Sequence, residues 1–353
     1  MRILVINPGS TSTKIAVYED ESPLLVHTIR HSMEDLGHYP RIIDQFEFRK
    51  NLVIKALQDE GIPFQFDAIA GRGGLLKPIP GGVYEVNDAM LDDMMHALRP
   101  HACNLGCLIA NELAIEIPGC RAFIADPGVV DELDELARIN GSPLMPRITI
   151  WHALNQRAIA RRYAKEHNTR YENLNLIVCH LGGGISVGAH LQGRAVDVPN
   201  ALDGEGPFSP ERAGTLPAGN LIDLCFSGKY TQAELKRQIC GRGGLAAHLG
   251  TTDVLTVEKR IAEGDAHAEL ILNAMIYQIA KSVGAAAVAL WGKVDAILLT
   301  GGIAHSHYIT SRLSERISFL APVHIYPGED ELEALALNAL GALRGELPIQ
   351  EYK

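Results

Sequence analysis

Short apolar runs separated by glycine, proline and small polar residues recur along the chain, and this pattern predicts β-strands joined by tight turns. Residues 3–7 form such a run and lead into a turn rich in Gly, Ser and Thr, after which residues 14–18 and 24–29 form two more. Residues 174–180, 185–190 and 195–198 repeat this arrangement, with a second glycine-rich turn between the first two runs. A unit of strand, turn and strand therefore occurs twice in the sequence.

Stretches with helical periodicity follow both copies and alternate with further strand-like runs. The predicted helices include residues 41–60, 88–98, 105–117, 151–165, 221–226, 232–239, 254–262, 266–291 and 331–343. The predicted later strands are residues 66–70, 122–125, 294–300 and 323–326. Two copies of one supersecondary unit predict an α/β protein of two similar domains, with both glycine-rich turns facing one cleft.

The composition is that of a folded protein with an acidic surface. Hydrophobic residues make up 47% of the chain, and 32 basic against 42 acidic residues give a formal net charge of −10. This balance argues against partners such as nucleic acid or an anionic membrane, because both need clustered Lys and Arg. It still allows a local basic pocket for a small anion.

Features of secreted and membrane proteins are not expected. The N-terminal residues lead directly into a strand-like run rather than a signal peptide. The most apolar stretch, residues 282–290, is shorter than a membrane-spanning helix requires. The six cysteines are scattered without a CxxC pair, which favours reduced thiols and a cytoplasmic protein.

The first turn carries polar groups suited to a phosphate. Its segment NPGSTSTK, residues 7–14, contains Asn7, Ser10, Ser12 and Lys14. Pro, Gly, Ser and Thr are also ordinary turn formers, so a plain hairpin is the alternative. Hydroxyl donors and a cation beside one turn favour stabilisation of a transferring phosphoryl group.

Two arginines lie in loops bracketed by Gly or Pro, where a guanidinium can reach a ligand. Arg72 stands in GRGG, residues 71–74, and Arg212 in a later loop. Guanidinium groups bind carboxylate and phosphate oxygens in pairs, so we expect these side chains to offset charge during phosphoryl transfer. Asp126 follows the strand at 122–125, a position typical of a site residue in α/β proteins, although an Asp there can also simply cap a helix.

In their order, these motifs resemble the acetate kinase family, within the actin-like superfamily that includes sugar kinases and chaperone ATPases. NPGSTSTK is similar to the family signature NxGSxSxK, and HLGGG at residues 180–184 is similar to a second signature, HLGxG. GRGG, Asp126, WH at 151–152, ERAG at 211–214 and TGGI at 300–303 follow the family's order over essentially the whole chain. Together with NPGSTSTK, the segments HLGGGISVGAH at 180–190, GGLAAHLGTTD at 243–253 and PGEDELEAL at 327–335 resemble the branch of butyrate kinases and branched-chain fatty acid kinases.

The resemblance implies a fold of duplicated actin-like, or ribonuclease H-like, βββαβαβα domains with the active site in a cleft between them. It places an N-terminal domain at residues 1–150 and a nucleotide-binding domain at residues 151–332. The C-terminal helix, about residues 333–353, is expected to pack back on the first domain. A homo-oligomer of at least two chains is also implied.

The resemblance further implies ATP or ADP and Mg²⁺ as ligands, and it gives the candidate residues their roles. The catalytic residues expected at the substrate and the transferring phosphoryl group are Arg72, Asp126, His152 and Arg212. The residues expected at the phosphates and the nucleotide are Asn7, Ser10, Ser12, Lys14, His180, Gly182, Gly183, Gly184, Gly301 and Gly302. The Mg²⁺ ligands are expected to be Asn7 and either Asp330 or Glu331, although an acid at a helix N-terminus also serves the helix dipole.

The sequence departs from acetate kinases at several places. Gly183 stands where they carry Asn, Gln156 where they carry a second His, and residues 250–253 where they carry an adenine clamp. Gly73 and Gly74 replace bulky apolar residues, which predicts a pocket with room for a longer acyl chain. Because each buried methylene contributes about 0.8 kcal/mol, butyrate is expected to be preferred over acetate by about tenfold or more.

The predicted activity is reversible, direct in-line transfer from ATP to butanoate, which yields butanoyl phosphate and ADP. A short-chain fatty acid and a nucleotide are the expected partners, with acetate, propionate or isobutyrate as alternative substrates. A sugar kinase would need an Asp base to activate a neutral hydroxyl, a role that Asp126 could fill. A non-enzymatic actin-like ATPase would need the nucleotide turns without the two arginines and His152.

Overall fold

The computed structural model describes residues 1–97 and 99–353. Their strands are β1 (Arg2–Pro8), β2 (Ser12–Glu19), β3 (Ser22–Arg30), β4 (Ala68–Gly71), β5 (Val83–Glu85), β6 (Arg121–Ala125), β7 (Asn175–Leu181), β8 (Ile185–Leu191), β9 (Arg194–Asp197), β10 (Ala296–Gly301), β11 (Val323–Pro327) and β12 (Ile349–Gln350). Their helices are α1 (Met33–Gly37), α2 (Phe46–Asp59), α3 (Asp88–Met95), α4 (Asn104–Ile115), α5 (Glu135–Arg138), α6 (Ala153–Glu166), α7 (Ala218–Phe226), α8 (Gln232–Ile239), α9 (Gly244–Leu249), α10 (Val254–Ala262), α11 (Ala266–Ala289), α12 (His307–Ile317) and α13 (Glu331–Leu343).

Contacts between Cα atoms divide the chain into two compact units. Unit 1 consists of Met1–Val130 together with Asp330–Lys353, and unit 2 consists of Asp131–Glu329. The domain boundaries near residues 150 and 332 stay a prediction.

Unit 1 contains a seven-stranded sheet in the order β12-β5-β6-β4-β1-β2-β3. β1 pairs antiparallel with β2 and parallel with β4. On one face of the sheet, Leu4, Ile6 and Ile69 pack with Leu105 and Ile109 of α4. The C-terminal helix α13 belongs to the same unit and contacts β1, β4 and β6.

Unit 2 contains a five-stranded sheet in the order β11-β10-β7-β8-β9. Along β7, Ile177 packs in a cluster with Met275 of α11, whereas its neighbour Val178 packs with Ile159 of α6. Successive side chains of a strand point to opposite faces. Helices α11 and α6 therefore cover opposite faces of this sheet.

The predicted repeat is present in the topology of the two sheets. The strand order β3-β2-β1-β4-β6 of unit 1 corresponds to β9-β8-β7-β10-β11 of unit 2. In both units an antiparallel pair, β1 with β2 and β7 with β8, is joined by the glycine-containing turn that the sequence suggested. Strands β5 and β12 extend only the first sheet.

Several element bounds differ from the predicted ones. The helix predicted over residues 41–60 begins as a 3₁₀ turn at Ile42–Gln45 and continues as α2. Gly61 follows it with a φ of 66°, the left-handed conformation that glycine readily adopts after a helix. The predicted end of α3 at Leu98 lies outside the described residues. The sequence did not predict the helices α1, α5, α9 and α12. It also did not predict the strands β5 and β12, which are too short to show an alternating pattern.

The apolar stretch at residues 282–290 is too short by itself to span a bilayer, and its residues 282–289 are the last part of the 24-residue helix α11. By length and composition α11 could cross a membrane. Its residues Leu272, Met275, Ile279 and Val283 lie in the hydrophobic core of unit 2. A core helix of a globular domain passes the same test of length and composition, so the helix is weak support for a membrane span.

Candidate active site

The first turn and its two strands place predicted phosphate residues on one face of the sheet of unit 1. Asn7 and Lys14 are direct partners in the antiparallel pairing of β1 and β2, so their side chains share a face. Ser12 lies two positions before Lys14 and shares this face as well. Ser10 is exposed in the turn between the strands. The fold therefore places Asn7, Ser12 and Lys14 on one face, beside the turn that carries Ser10.

A buried arginine, which the sequence reasoning missed, binds the backbone of this turn on the side that faces the protein interior. Arg49 is fully buried, and its guanidinium donates to the carbonyl oxygens of Gly9 (2.8 Å), Ser12 (3.1 Å) and Ser10 (3.2 Å) and to the Thr13 hydroxyl (3.1 Å). Because the C=O and N–H of a trans peptide point in opposite directions, the N–H groups that follow Gly9 and Ser10 point away from Arg49. Burial lowers the pKa of Arg49 to about 10, so it stays charged at neutral pH.

Glu331, the first residue of α13, joins two of the predicted residues. Asn7 Nδ2 donates to Glu331 Oε2 at 2.8 Å, and Arg72 forms an ion pair with the same oxygen. The Arg72 and Glu331 side chains are each 15% exposed, so solvent screens this pair only in part. The neighbouring Asp330 is exposed and has a left-handed backbone with a φ of 41°. The structure thus places Glu331 in contact with the end of β1, directly before the first turn.

The glycines after Arg72 allow segments of backbone to approach closely. A Cβ on Gly74 would lie 2.7 Å from Asn104 Cα at the start of α4, and a Cβ on Gly73 would lie 2.7 Å from Pro127 Cβ. Both glycines are buried. The open volume that the sequence suggested beside them is therefore filled on these sides by neighbouring residues. An acyl pocket lined by Gly73 and Gly74 stays a prediction.

Asp126 lies directly after β6 and is fully buried. Its Oδ1 accepts the N–H of Gly82 at 2.8 Å, and its own N–H donates to the Gly82 carbonyl at 3.0 Å. Its φ of 39° is left-handed, a conformation that costs a residue other than glycine about 1 kcal/mol or more. Such strain is common at functional sites, and the predicted role of Asp126 stays a prediction.

In unit 2, two of the predicted histidines stack beside the second turn. His180 on β7 and Ser186 on β8 are cross-strand partners. His152, just before α6, lies over His180 with ring centroids 3.8 Å apart and planes at 9°. His152 Nδ1 is 2.8 Å from Ser186 Oγ, and His180 Nδ1 is 2.7 Å from Asn155 Oδ1. Neighbouring side chains therefore fix the orientation of both rings.

A buried chain of hydrogen bonds continues from Ser186 into the interior of unit 2. Gln156 Nε2 lies 2.8 Å from Ser186 Oγ, Gln156 Oε1 lies 2.9 Å from His190 Nε2, and the Tyr171 hydroxyl lies 2.5 Å from His190 Nδ1. Burial, together with the charge of Arg157, lowers the pKa of His190 to about 3, so its ring is neutral at pH 7. The sequence reasoning noted Gln156 only as a departure and missed the other three.

Arg212 packs against the second turn. A Cβ on Gly184 would overlap the Arg212 guanidinium, so glycine at this position lets the side chain lie over the backbone. Arg212 Nη1 donates to Ala201 O at 3.2 Å, while its buried Nε has no hydrogen-bond partner among the described residues. Ser209 Oγ donates to Gly183 O at 2.6 Å and accepts the Arg212 backbone N–H, which ties this loop to the turn. A buried donor without a partner fits a site for an anion.

A cavity of about 490 Å³ opens beside the second turn and the end of β10. It is lined by Gly183 and Gly302, and by Thr252 and Asp253 from the segment just before α10. No heavy atom lies within 4 Å of a Cβ placed on Gly302, whereas Gly301, with a φ of 92°, packs tightly against the backbone of β7. The structure brings Gly183 and Gly302 to one cavity and gives Gly301 a packing role.

Gly182 is the first residue of the second turn, and it is buried. Its N–H donates to Gly184 O at 3.1 Å, and a Cβ on it would lie 2.9 Å from His180 Nε2. The turn between β7 and β8 is therefore compact on the side of the histidine pair.

Comparisons with known proteins identify the family. The model of the family described as "Acetokinase family" matches residues 149–324. A protein of Bacteroides thetaiotaomicron named probable butyrate kinase is 71% identical over 353 residues, which is 100% of both chains. The chain belongs to the acetokinase family. Butyrate kinase 2 of Clostridium acetobutylicum, 53% identical over 100% of this chain and 99% of its own, is a second relative.

A solved structure also matches this acetokinase family member. The crystal structure of Porphyromonas gingivalis acetate kinase has a TM-score of 0.80 at 19% identity and covers 97% of this chain and 99% of its own. At this identity the match shows the fold alone. The comparisons confirm three predictions: the resemblance to the acetate kinase family, the duplicated actin-like α/β fold, and a kinase whose acceptor is a carboxyl group.

Proposed function

We propose that the protein phosphorylates butanoate with ATP and, in reverse, makes ATP: butanoate + ATP = butanoyl phosphate + ADP. Membership of the acetokinase family supports a carboxylate acceptor, and the names of the two relatives support a four-carbon acid. The observation that carries the proposal is the contact of Glu331 with both Arg72 and Asn7. This contact keeps the Arg72 guanidinium, a group that binds carboxylates well, beside a turn suited to phosphate.

In this proposal, Arg72 binds the substrate carboxylate. A guanidinium carries five N–H donors, so Arg72 can hold an oxyanion while it pairs with Glu331. The acceptor is already an anion at neutral pH, so no residue has to remove a proton from it. In keeping with this, Asp126 Oδ1 accepts the Gly82 N–H and is not needed as a base.

The first turn is proposed to hold phosphoryl oxygens. Ser10, Ser12 and Lys14 supply two hydroxyl donors and a cation, and the backbone N–H groups that point away from Arg49 add further donors. Arg49 itself does not touch a ligand in this scheme. It fixes the conformation of the turn, and it is therefore a positioning residue.

Unit 2 is proposed to bind the nucleotide and to stabilise the transferring group. The cavity beside Gly183 and Gly302 is of a size that suits a small ligand. We propose that Arg212, whose buried Nε lacks a partner among the described residues, and His152 offset the charge that develops on the phosphoryl oxygens. His180 and the second turn, residues 182–184, complete the phosphate-binding set.

The proposed transfer is direct. An oxygen of butanoate forms a bond to the γ-phosphorus while the bond to the bridging oxygen breaks, and ADP leaves with the electron pair. No residue of the protein becomes phosphorylated. Inversion of configuration at phosphorus is expected for a chiral γ-phosphate, and retention would contradict direct transfer.

Magnesium fits the oxygen-bearing side chains of Asn7, Asp330 and Glu331. Asn7 turns its amide nitrogen toward Glu331, so its Oδ1 is the atom that would face a cation. Within residues 1–97 and 99–353, no group of three His, Cys, Asp or Glu forms a cluster for a metal ion. Such a sparse set suits Mg²⁺, which takes one or two carboxylates and completes its shell with substrate phosphates and water. When bound, Mg²⁺ would neutralise charge on the phosphates, and we assign Glu331 as its carboxylate.

The proposal is tested by trapping acyl phosphate as its hydroxamate, with ATP and a panel of carboxylates and sugars. Butanoate should give hydroxamate, with acetate, propionate and isobutyrate as the alternative substrates. Phosphorylated sugar without hydroxamate would instead support a sugar kinase. ATP-dependent sedimentation without any phosphoryl transfer would support a non-enzymatic actin-like protein.

We also propose that the protein is a cytoplasmic homo-oligomer of at least two chains. On α7, Ile222 and Phe226 are 57% and 87% exposed, and large apolar side chains that cluster on a surface often mark an interface. All six cysteines are unpaired, in keeping with a reducing compartment. Light scattering of the purified protein gives the number of chains.

A further inference from the structure

The hydroxyl group of Ser186 has one acceptor among its neighbours. In the part of the chain that the structure describes, Ser186 Oγ contacts the His152 backbone nitrogen (3.4 Å), His152 Nδ1 (2.8 Å) and Gln156 Nε2 (2.8 Å). The backbone N–H and the amide nitrogen only donate. The hydroxyl hydrogen therefore goes to His152 Nδ1, which must carry no proton.

The orientation of the Gln156 amide follows from its contact with the backbone. Gln156 Nε2 lies 3.0 Å from the Ser186 carbonyl oxygen, which only accepts, so Gln156 Oε1 faces His190. His190 then donates from Nε2, and its Nδ1 accepts from the Tyr171 hydroxyl. The hydrogen bonds therefore run in one direction, from Tyr171 through His190, Gln156 and Ser186 to His152.

We propose that this one-directional chain fixes His152 as the tautomer that carries its proton on Nε2. Gln156, Ser186 and His190 are each 0% exposed, so water does not compete for their hydrogen bonds. The other tautomer would place an N–H against the Ser186 hydroxyl and deprive the hydroxyl hydrogen of its acceptor. A buried hydrogen bond left unmade is unfavourable. Gln156, Ser186 and His190 are thus positioning residues for His152.

His180, whose ring stacks on that of His152, is held as the other neutral tautomer. Asn155 Nδ2 donates to the Glu329 carbonyl oxygen at 2.7 Å, so Asn155 Oδ1 faces His180 and accepts from its Nδ1. Neutral His180 therefore carries its proton on Nδ1. In their neutral forms the two stacked rings differ at Nε2, which carries a proton in His152 and none in His180. The Nε2 of His180 lies 3.8 Å from Glu329 Oε1, the carboxylate that faces this ring.

The consequence for the reaction rests on the proposed function. A neutral histidine can donate a hydrogen bond to an oxygen of the transferring phosphoryl group only from a nitrogen that carries a proton. The chain supplies that proton at Nε2 without requiring a charged ring. It would also make the donor available before the substrate arrives.

The tautomers can be measured without substrate and without activity. Two-bond ¹H–¹⁵N correlation spectra of protein labelled with ¹⁵N-histidine report which ring nitrogen carries the proton, and His152→Gln and His180→Gln assign the two rings. We expect Nε2–H for His152 and Nδ1–H for His180 at a pH where both are neutral. A His152 ring protonated on Nδ1, or one that exchanges evenly between tautomers, would overturn the proposal.

A matched pair of variants tests the chain itself. Ser186→Ala removes the donor and should give mixed tautomers and a kcat lower by about tenfold to a hundredfold, as for loss of a partner that orients a reacting group. KM for butanoate should change little, and Tm should fall only as far as the loss of buried hydrogen bonds to one hydroxyl requires. Ser186→Thr keeps a hydroxyl and should restore the tautomer and most of the rate, whereas an unchanged tautomer or kcat in Ser186→Ala would overturn the proposal. A wild-type protein with the expected spectrum but no activity on any carboxylate would contradict the proposed function alone and support the tautomer assignment.

Discussion

Arg72 and Glu331 form an ion pair, and the carboxylate oxygen of Glu331 that takes part in it also accepts a hydrogen bond from Asn7 at 2.8 Å. The pair connects the loop after β4 with the first residue of α13 and the end of β1. Both charged side chains are mostly buried, so a long and flexible arginine is held in one place. We expect this arrangement to aim Arg72 at an anionic substrate.

Replacing Glu331 by Gln should lower the rate by about tenfold to a hundredfold and raise the Mg²⁺ concentration needed for half-maximal activity. The variant loses the anionic ligand proposed for Mg²⁺ and the ionic partner of Arg72. Activity titrated with Mg²⁺ at fixed ATP measures both effects. Glu333→Gln, exposed in the same helical turn, is the control and should behave like wild type. A larger effect of Asp330→Asn than of Glu331→Gln would reverse the assignment.

Removing either proposed active-site arginine should be costly. Arg72→Ala and Arg212→Ala should each lower the rate by at least about a hundredfold, as expected for the loss of one transition-state contact. Lysine at either position keeps the charge but not the paired donors, so it should restore only part of the rate. Steady-state kinetics with butanoate and a nucleotide titration test this, and nucleotide affinity should change little. A variant within a few-fold of wild type would remove that arginine from the mechanism.

Arg49→Met should destabilise the protein and weaken binding of the nucleotide phosphates. The carbonyl oxygens of Gly9 and Ser10 would lose a buried donor, and each such loss costs about 1–3 kcal/mol. The Ser12 carbonyl would keep its hydrogen bond from the Gly9 N–H. Thermal denaturation and KM for ATP measure the two effects. Arg41→Met is the matched control, because its side chain is 75% exposed and surface ion pairs contribute about 0–1 kcal/mol. Equal behaviour of the two variants would refute a positioning role for Arg49.

Two buried histidines should make the fold sensitive to acid. Burial, with the charge of Arg49, lowers the pKa of His31 to about 4 from an ordinary 6.5, and that of His190 is lowered to about 3. Between pH 6.5 and these values the unfolded chain binds protons that the folded chain does not. Stability from these groups is therefore complete above pH 6.5 and is lost as the pH falls toward 4.

His31→Gln tests this pH dependence. Its Tm should fall less than that of wild type between pH 6.5 and pH 4, because one group that favours unfolding in acid has been removed. Scanning calorimetry across this range gives the two slopes. Identical slopes would mean that His31 is not held neutral in the folded protein.

The repeated strand-turn-strand unit could be predicted because its apolar runs and glycine-rich turns are local features. Arg49 could not be predicted as part of the site. In the sequence it is a charged residue on the same face of α2 as the apolar residues Val53 and Leu57, and this pattern does not indicate what the side chain binds. The chain from Tyr171 to His152 was missed for a related reason. Its members lie on separate elements, and only the fold brings them into one line.

Gly73 and Gly74 show a different limit of sequence reasoning. A glycine in place of a bulky residue shows that a side chain is absent. Whether the space beside the glycine stays open depends on the packing of α4 and of the segment after β6, which the sequence does not give. The choice between Asp330 and Glu331 was open for the same reason. The sequence alone does not indicate which of two adjacent acidic residues faces the first turn. In the structure, Glu331 is the one that contacts Asn7.

The central claim, a carboxylate kinase that acts on butanoate, is tested most directly by kcat/KM for butanoate and acetate measured side by side with ATP and Mg²⁺. Two additional buried methylenes at about 0.8 kcal/mol each predict a preference for butanoate of about tenfold or more. Equal kcat/KM values for the two acids would contradict a pocket selective for the longer chain, and turnover of a sugar in place of both would contradict a carboxylate acceptor.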